Sequence, residues 1–380
     1  MKKDKEINTS YISQLDGLRA IAIILVLIFH WFPEGEGVNI LANGPLGVTI
    51  FFVLSGFLIT RILLSYREKM DHGGIAKAYK VFMARRMLRI FPLYYLVLLA
   101  VWLAKYIPII SPINTQFYTY PAYYILYASN FLIEYLHDWS DVLSPFWSLA
   151  VEEQFYILFP FIVLSVPRPY LKSSIIGLIG LGISSRVVLH LLNINEGVHM
   201  PTCLDAFGLG ALWAYVSTQA DPSERFIKFA RYGGLIGLIS FVTFCLTGQG
   251  NFAAVLFFRT SMSLIALFLV VGASYQGGFS NIFGRILNHS SLKYIGKISY
   301  GLYVFHMLVP AVLVPLILKL MQRFAGVTLS LTDFSSRLLS LVVLLVLSTA
   351  SWYLYEKPVI QVKKYFEMRG KNKVPVKAST

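Results

Sequence analysis

The chain has 380 residues, of which 56% are hydrophobic and only 14% carry a charge. Soluble domains carry charge on about 25% of their residues, and one crossing of the hydrocarbon core needs about 20 apolar residues. This composition excludes a soluble enzyme, a disordered chain and a fibrous protein. It predicts an all-α polytopic membrane protein, because its long continuous apolar runs lack the alternation that marks the strands of a membrane β-barrel.

The net charge of +14 indicates the Lys and Arg excess of cytoplasmic loops and contact with anionic membrane lipids. It does not indicate nucleic acid in a chain of this kind. The two cysteines, Cys203 and Cys245, have no C-x-x-C spacing, so neither a disulfide framework nor a metal site is predicted.

Ten apolar stretches are long enough to cross a membrane. They cover residues 16–33, 45–64, 89–106, 146–166, 172–193, 200–218, 229–248, 251–275, 295–318 and 335–357. The segments that this pattern places inside include a strongly basic loop at 65–88, whereas the outside loops carry two basic residues, Lys319 and Arg323. The distribution of Lys and Arg therefore predicts that both termini are cytoplasmic.

An eleventh apolar stretch, 122–136, is short, rich in tyrosine and carries Glu134. Counting it as a crossing would move the basic tail outside, so we predict that it is interfacial or re-entrant. The predicted organisation is then a cytoplasmic segment at 1–15, one membrane domain at 16–358 and a basic cytoplasmic tail at 359–380.

Ionisable residues inside a membrane span are costly and are candidates for function. The first span holds Arg19 and His30. Eleven helical steps turn through about 1100° and rise about 16.5 Å, so the two side chains share one face at opposite depths. This arrangement favours a reaction path across the membrane over two unrelated structural roles.

Two further clusters lie at span ends. Glu152 and Glu153 follow the start of the fourth span, at the depth predicted for His30, and a carboxylate there could orient the imidazole. Arg86 and Arg89, at i and i+3, share a face at the inner end of the third span and could bind phosphates together with Arg19.

Four other buried candidates are weaker. His306, Arg186 and Arg259 lie within spans, and Asp205 lies a few residues inside the sixth span. Each is as compatible with a hydrogen-bonded structural group as with a functional one.

Several motifs stand in order along nearly the whole chain. They are Leu15–Arg19 followed by His30, Gly47–Phe57, the Arg86/Arg89 pair, Trp147–Tyr156, Ser299–His306 and Tyr355–Pro358. Together they resemble the acyltransferase-3 family over about 11–358. The resemblance implies a ten-helix O-acyltransferase of the bacterial inner membrane, which takes an acyl group, usually acetyl, from cytoplasmic acyl-CoA. The acceptor would be a sugar hydroxyl of a surface polysaccharide, lipopolysaccharide or lipid-linked glycan.

The resemblance also implies roles for individual residues. His30 would be the essential histidine and Arg19 its partner in the first span. The implied acyl-CoA contacts are Arg19, Arg86 and Arg89, the implied acidic motif is Glu152 and Glu153, and the implied substrate or structural contacts are Trp147, Ser148, Tyr300 and His306. No metal is implied.

One departure from the family pattern concerns the sixth span. Many members have an arginine at the position of Cys203, which makes a role for Asp205 uncertain here. Two mechanisms stay open, with His30 as general base on the sugar hydroxyl or as carrier of the acyl group. A transporter or flippase without acyl chemistry is the alternative function, and the sequence does not give the oligomeric state.

Overall fold

The fold is a bundle of α-helices. The computed structural model describes residues 11–70, 74–110, 113–219, 224–248, 252–326 and 332–368, and every regular element within these ranges is helical. The α-helices are α1 Ser13–Trp31, α2 Asn43–Lys69, α3 Ile75–Ala104, α4 Pro121–Ile125, α5 Ser129–Leu136, α6 Phe146–Ser165, α7 Arg168–Leu191, α8 Leu204–Ser217, α9 Glu224–Thr247, α10 Phe252–Ser274, α11 Ile282–Leu287, α12 Ser290–Lys297, α13 Ser299–Phe305, α14 Val314–Ala325, α15 Asp333–Ser351 and α16 Lys357–Gln361. The predicted all-α polytopic class is confirmed.

Most of the long helices are long and apolar enough to cross a membrane. In the described ranges, eight stretches pass by length and apolarity: α1, α2, α3, α6, α7, α9, α10 and the stretch Asp333–Tyr365 that contains α15 and α16. A ninth is broken, because α13 and the segment Val309–Ala325 meet at an angle of 49°. We call the end of the bundle that holds Arg19 the arginine end and the end that holds His30 the histidine end.

The predicted sixth span is shorter than expected. Residues 200–218 form a 3₁₀ turn, Pro201–Cys203, and the 14-residue helix α8. Cys203 contacts Arg259 near Pro45 at the histidine end, and Trp213 Nε1 donates to Ser274 Oγ (2.7 Å) toward the arginine end. The helix and turn together rise about 27 Å, close to the roughly 30 Å hydrocarbon thickness, so α8 still traverses the bundle.

The two ends of the described chain lie together. Tyr11 and Lys363 line the same cavity at the arginine end. A chain that starts and stops on one side makes an even number of crossings. The nine stretches together with α8 make ten, which agrees with the sequence prediction.

The stretch 122–136 consists of two short helices, α4 and α5. At eight residues, the longer one rises about 12 Å, which is too short to cross. Tyr94 and Tyr95 of α3 donate to the carbonyl oxygens of Tyr124 and Ile125, each at 2.8 Å. The stretch is therefore held against α3 without crossing.

A close helix crossing lies between α2 and α8. Gly56 faces the backbone of Phe207, and Gly210 faces the backbone of Val53, so that a methyl group at either glycine would meet main-chain atoms. Small residues allow this approach, which membrane helices use because packing replaces the hydrophobic effect between them. The α2–α8 pair forms the centre of the bundle and fixes the face of α2 that lines the site.

Gly56→Ala is expected to destabilise the fold, since the added methyl group overpacks a crossing that cannot yield without moving backbone. Overpacking typically costs about 1–3 kcal/mol, and thermal unfolding of the purified protein in detergent should show a lower Tm. The control is Gly177→Ala on α7, where nothing lies within 4 Å of the added methyl group. Equal Tm values for the two variants would contradict the close crossing.

Candidate active site

Three predicted arginines come together at the arginine end. Arg19 of α1 and Arg86 and Arg89 of α3 line a cavity of about 700 Å³, which we call the basic cavity. Its other charged or hydroxyl-bearing lining residues are Tyr11, Asp16, Tyr66, Arg85, Lys297 and Lys363. One carboxylate among six basic side chains makes this cavity suited to an anion of several charges.

The acidic partners of these arginines are few. Arg19 forms an ion pair with Asp16, three residues earlier on α1. Within the described ranges, no carboxylate oxygen lies within 4 Å of the guanidinium nitrogens of Arg86 or Arg89. Arg86 instead lies over the rings of Phe82 and Tyr156, at 5.7 and 5.5 Å from the ring centroids. These contacts hold the guanidinium in place, and its charge is not neutralised by a carboxylate in direct contact.

Tyr11 closes the same cavity just before α1. Its phenol donates a hydrogen bond of 2.5 Å to Asp16 Oδ2. Burial, followed by the hydrogen bond to the Asp16 carboxylate and its charge, raises the pKa of Tyr11 to about 12. Tyr11 therefore stays protonated at neutral pH, as a donor beside Arg19.

A narrower cavity of about 110 Å³ leads inward from the same three arginines. We call it the narrow cavity, and α2, α6 and α13 supply most of its wall. Its polar lining residues are Arg19, Ser55, Arg86, Arg89, Ser148, Glu152, Tyr156, Ser299, Tyr300 and Tyr303. The basic cavity and the narrow cavity thus share Arg19, Arg86 and Arg89 at their junction.

Glu152 is fixed inside the narrow cavity. Its Oε1 accepts a hydrogen bond from Ser55 Oγ (2.9 Å), and its Oε2 accepts one from Tyr156 Oη (2.8 Å). Tyr156 lies four residues later on α6, so one helix turn supplies the carboxylate and a donor to it. The ring of Tyr156 also lies under the Arg86 guanidinium. Tyr156 therefore links Glu152 to the arginine cluster.

The structure does not pair His30 with a glutamate. The hydrogen bonds of Glu152 go to Ser55 and Tyr156, and Glu153 is buried with no hydrogen-bond partner for Oε1 among the described residues. The expectation that Glu152 or Glu153 orients His30 is therefore wrong for this geometry. The reason is that Glu152 follows the start of α6 by more than a turn and reaches the arginine cluster.

Residues at the start of α6 line the far part of the narrow cavity or flank it. Ser148 Oγ lies 2.6 Å from Tyr303 Oη, and Tyr303 donates to the Pro145 carbonyl oxygen (2.9 Å). Trp147 packs edge-on against Phe52 with 6.3 Å between ring centroids. These contacts tie α6 to α2 and α13.

Tyr300 anchors the other side of α13. Its phenol donates to the Ile90 carbonyl oxygen of α3 at 2.7 Å. Arg89, which precedes Ile90, thus lies on a helix held directly to α13. The predicted contacts Trp147, Ser148 and Tyr300 are all in or beside one site, and their roles stay predictions.

His30 lies against His306. Their ring centroids are 4.8 Å apart, and the His306 ring lies 5.5 Å from the ring of Tyr303. Nδ1 of His30 bonds the Val26 carbonyl oxygen (2.9 Å), and Nδ1 of His306 bonds that of Tyr303 (2.6 Å). Since a carbonyl oxygen only accepts, Nδ1 carries the hydrogen in each ring and Nε2 keeps its lone pair. Both histidines are thereby set as bases at Nε2.

The break after α13 positions His306. This residue ends the helix, and the chain then bends into the π turn Val309–Leu313. Trp31 Nε1 donates to the His306 carbonyl oxygen at 3.0 Å, which fastens the break to the end of α1. Such π turns within helices are frequent at functional sites.

Sequence reasoning missed several partners, although local spacing signals most of them. Asp16 stands three residues before Arg19, Tyr156 four after Glu152 and Tyr303 three before His306, which are spacings of helix neighbours. Ser55 lies in the Gly47–Phe57 motif on another helix, so no spacing could connect it with Glu152.

A second polar cluster joins α7, α8 and α10. Arg186 and Asp205 are 98–100% buried, and Arg186 Nη1 lies 3.0 Å from Asp205 Oδ2. Thr260 Oγ1 bonds both side chains, at 2.5 Å from Arg186 Nη2 and 3.1 Å from Asp205 Oδ2. Arg186 and Asp205 therefore neutralise each other inside the bundle. Arg259 Nη1 lies 3.0 Å from Cys203 Sγ.

The site as a whole combines a cavity lined by basic side chains with an imidazole pair at the opposite end. The narrow cavity extends from the arginines to Tyr303, and the contacts from Tyr303 to His306 and on to His30 continue that line. Among the described residues, no group of three or more His, Cys, Asp or Glu side chains could hold a metal ion. The arrangement suits transfer of a group carried by a phosphate-rich donor to a nucleophile that a histidine deprotonates.

Comparison with known proteins agrees with this chemistry. A family model described as an acyltransferase domain matches residues 12–357. A protein of Staphylococcus aureus strain COL, whose O-acetyltransferase name is provisional, is 32% identical over 78% of this chain and 50% of its own length. The peptidoglycan O-acetyltransferase OatA of Listeria monocytogenes is 28% identical over 80% of this chain and 50% of its own length.

The O-acetyltransferase OatA of Staphylococcus aureus strain NCTC 8325 is 29% identical over 80% of this chain and 51% of its own length. The chain thus spans about half the length of the curated relatives that it matches. No solved structure matches the chain significantly.

Arg186→Gln is expected to lower the Tm strongly, because it leaves the Asp205 carboxylate buried without a counter-charge. Breaking a buried ion pair typically costs about 3–5 kcal/mol. The control is Lys228→Gln, which removes the exposed pair with Glu224 (3.8 Å), a kind of pair worth about 0–1 kcal/mol. Thermal unfolding in detergent measures both, and an unchanged Tm for Arg186→Gln would contradict a stabilising role.

Proposed function

We propose that this chain, which belongs to the acyltransferase family matched above, moves an acetyl group from a cytoplasmic acyl-CoA to a glycan hydroxyl across the membrane. One observation carries the proposal. The basic cavity and the narrow cavity meet at Arg19, Arg86 and Arg89, and Tyr303 at the other end of the narrow cavity contacts the ring of His306 beside His30. This arrangement would direct an acyl group from the arginine end toward the histidine pair.

The donor would bind at the arginine end. Guanidinium forks suit the oxygens of phosphates, and the basic cavity holds six basic side chains with Asp16 as its one carboxylate. Arg86 is held over Phe82 and Tyr156, so its side chain loses little freedom when an anion binds. The narrow cavity would then take the uncharged arm that carries the thioester, since its remaining wall is largely apolar.

His30 would act as the general base. Its Nε2 lone pair would take the proton of the sugar hydroxyl while the hydroxyl oxygen bonds to the acyl carbon. The carbon–sulfur bond breaks, and the released thiolate receives the proton from the imidazolium. The hydrogen bond from Nδ1 to the Val26 carbonyl oxygen supports this role, because it fixes the ring in the tautomer that a base requires.

The remaining predicted residues would position the reactants. Glu152 would hold Ser55 and Tyr156 at the wall of the narrow cavity, and through Tyr156 it would support Arg86. His306 would hold the ring of His30, which Phe29 also contacts, or share its proton. Glu153 is buried and does not line the narrow cavity, so it would help to position the reactants only through the residues that do.

The acceptor would be a glycan of the cell envelope. The name of the Listeria monocytogenes relative specifies peptidoglycan, which supports peptidoglycan over lipopolysaccharide or another lipid-linked glycan. The predicted positive-inside topology supports a plasma membrane location with the histidine end outside. Residues 16–358 would form the complete membrane domain.

His30→Ala is expected to abolish acetyl transfer, because loss of a general base costs roughly 10²–10⁴-fold in rate. The test compares cells without the gene, cells that carry the wild type and cells that carry His30→Ala. Mass spectrometry of the isolated glycan should show one acetyl mass per modified sugar in the wild type only. Size-exclusion chromatography of the purified variant checks that it folds.

Two outcomes would count against this function. Normal acetylation with His30→Ala would remove His30 as the base. An unchanged glycan mass in cells without the gene, with less glycan at the surface, would favour a transporter or flippase instead.

Arg86→Gln is expected to raise the KM for acetyl-CoA about tenfold, as hydrogen bonds to charged groups contribute roughly 1.5–3 kcal/mol. The KM for the glycan should not change, because Arg86 lies at the arginine end. The control is Lys80→Gln, an exposed residue of the same helix. Initial rates with purified protein measure both constants, and an equal rise in the two variants would indicate a nonspecific charge effect.

A further inference from the structure

A separate cavity lies at the histidine end, on the other side of α2 from His30. It has a volume of about 270 Å³, and Pro45, Arg186, Glu196 and Arg259 belong to its wall. We call it the Arg259 cavity. None of its lining residues belongs to the basic cavity or the narrow cavity.

The two arginines of this cavity differ in charge compensation. Arg186 pairs with Asp205 at 3.0 Å. Among the described residues, Arg259 donates to three neutral acceptors: the Gly197 carbonyl oxygen (2.5 Å), Thr202 Oγ1 (3.3 Å) and Cys203 Sγ (3.0 Å). No described carboxylate lies within 4 Å of its guanidinium nitrogens. The cavity therefore contains one positive charge that is held in place and not neutralised by a close contact.

Arg186, the other arginine of this cavity, has a buried nitrogen without a partner in the part of the chain that the structure describes. Arg186 Nε is buried and makes no hydrogen bond among the described residues. An unsatisfied buried donor is costly unless another group supplies the acceptor. That nitrogen has almost no accessible surface, so Arg259 supplies the fixed charge that an oxyanion would meet at the cavity wall.

The position of the cavity relates it to the acceptor side. Gly44, at the start of α2, packs against the side chain of Phe29, which precedes His30. Pro45, the next residue, lines the Arg259 cavity. The start of α2 therefore lies next to both this cavity and the end of α1 that carries His30.

Resting on the function proposed above, we propose that the Arg259 cavity binds an acidic group of the acceptor glycan, a carboxylate or a phosphate. Both groups present two or more oxygens that a guanidinium fork can bind in a bidentate manner. Binding there would hold an acidic sugar beside the histidine end, so that a neighbouring hydroxyl faces His30. A neutral glycan would lack this contact.

A change at Glu196 should affect anion binding in the opposite direction from a change at Arg259. Its carboxylate belongs to the wall of the same cavity, and Oε1 lies 3.9 Å from His190 Nδ1. Its negative charge opposes an incoming anion. Removing that charge should strengthen binding, whereas removing the Arg259 charge should weaken it.

The test measures binding to the purified full chain in detergent, without an acyl donor. Ligand-observed NMR titration compares three probes, namely methyl glucuronide, the neutral methyl glucoside and glucose 1-phosphate. In the wild type, at least one acidic probe should bind about tenfold more tightly than the neutral one, as expected for a charge-assisted contact. The tighter of the two acidic probes identifies carboxylate or phosphate as the preferred group.

Variants then locate the effect. Arg259→Gln should abolish the preference for an acidic probe, Arg259→Lys should keep part of it, and Glu196→Gln should increase it. Arg323→Gln, an exposed arginine of α14, is the matched control and should change nothing. Because Glu196 is not part of the buried ion pair, its variant keeps the test decisive if Arg259→Gln does not fold.

The results separate this site from the proposed function. Equal binding of acidic and neutral probes in the wild type, or an unchanged preference in Arg259→Gln or Glu196→Gln, would overturn the site. A chain that binds acidic probes as expected but transfers no label from acetyl-CoA would count against the acyltransferase activity alone. Transfer to a glycan from which the preferred acidic group has been removed, at the rate seen with the acidic glycan, would count against the site alone.

Discussion

The structure depends on how it accommodates guanidinium charge inside an apolar bundle. A charged side chain in the hydrocarbon region is expensive unless it meets a counter-charge or a polar cavity. Arg186 meets the first condition, because Asp205 and Thr260 enclose it on three helices. Arg86 meets the second, since it lies between aromatic rings at the junction of two cavities. Arginine thus forms a buried ion pair in one part of the bundle and lines a cavity in another.

Backbone irregularities determine where the functional side chains can lie. The glycines at the α2–α8 crossing bring α2 deep into the bundle, which leaves Ser55 facing Glu152 of α6. The break after α13 ends that helix at His306 and turns the chain away. In a continuous helix the His306 carbonyl oxygen would face Pro310, which has no N–H to donate, so this oxygen is left to accept from Trp31, and the bond ties α13 to the end of α1.

Sequence patterns predicted the features that depend on a single helix. Apolar length gave the helical class, basic loops gave an even number of crossings, and the i, i+3 spacing placed Arg86 beside Arg89. They could not predict which neighbour a side chain meets. Glu152 was assigned to His30 from depth alone, but its side chain faces Ser55 and Tyr156 on the arginine side. The ion pair of Asp205 with Arg186 likewise depends on how α7 packs on α8, which no local spacing encodes.

Separation of charge and base along α1 fits the proposed transfer between two compartments. The arginines that suit a phosphate-rich group lie at one end, and the imidazoles whose Nε2 atoms keep their lone pairs lie at the other. If the bases lay beside the arginines, the repulsion between like charges would oppose the imidazolium that forms when a base takes a proton. About 16.5 Å of helix removes most of that penalty. Under the proposed function, the narrow cavity would carry only the uncharged part of a donor, which accords with the mainly apolar atoms on its surface.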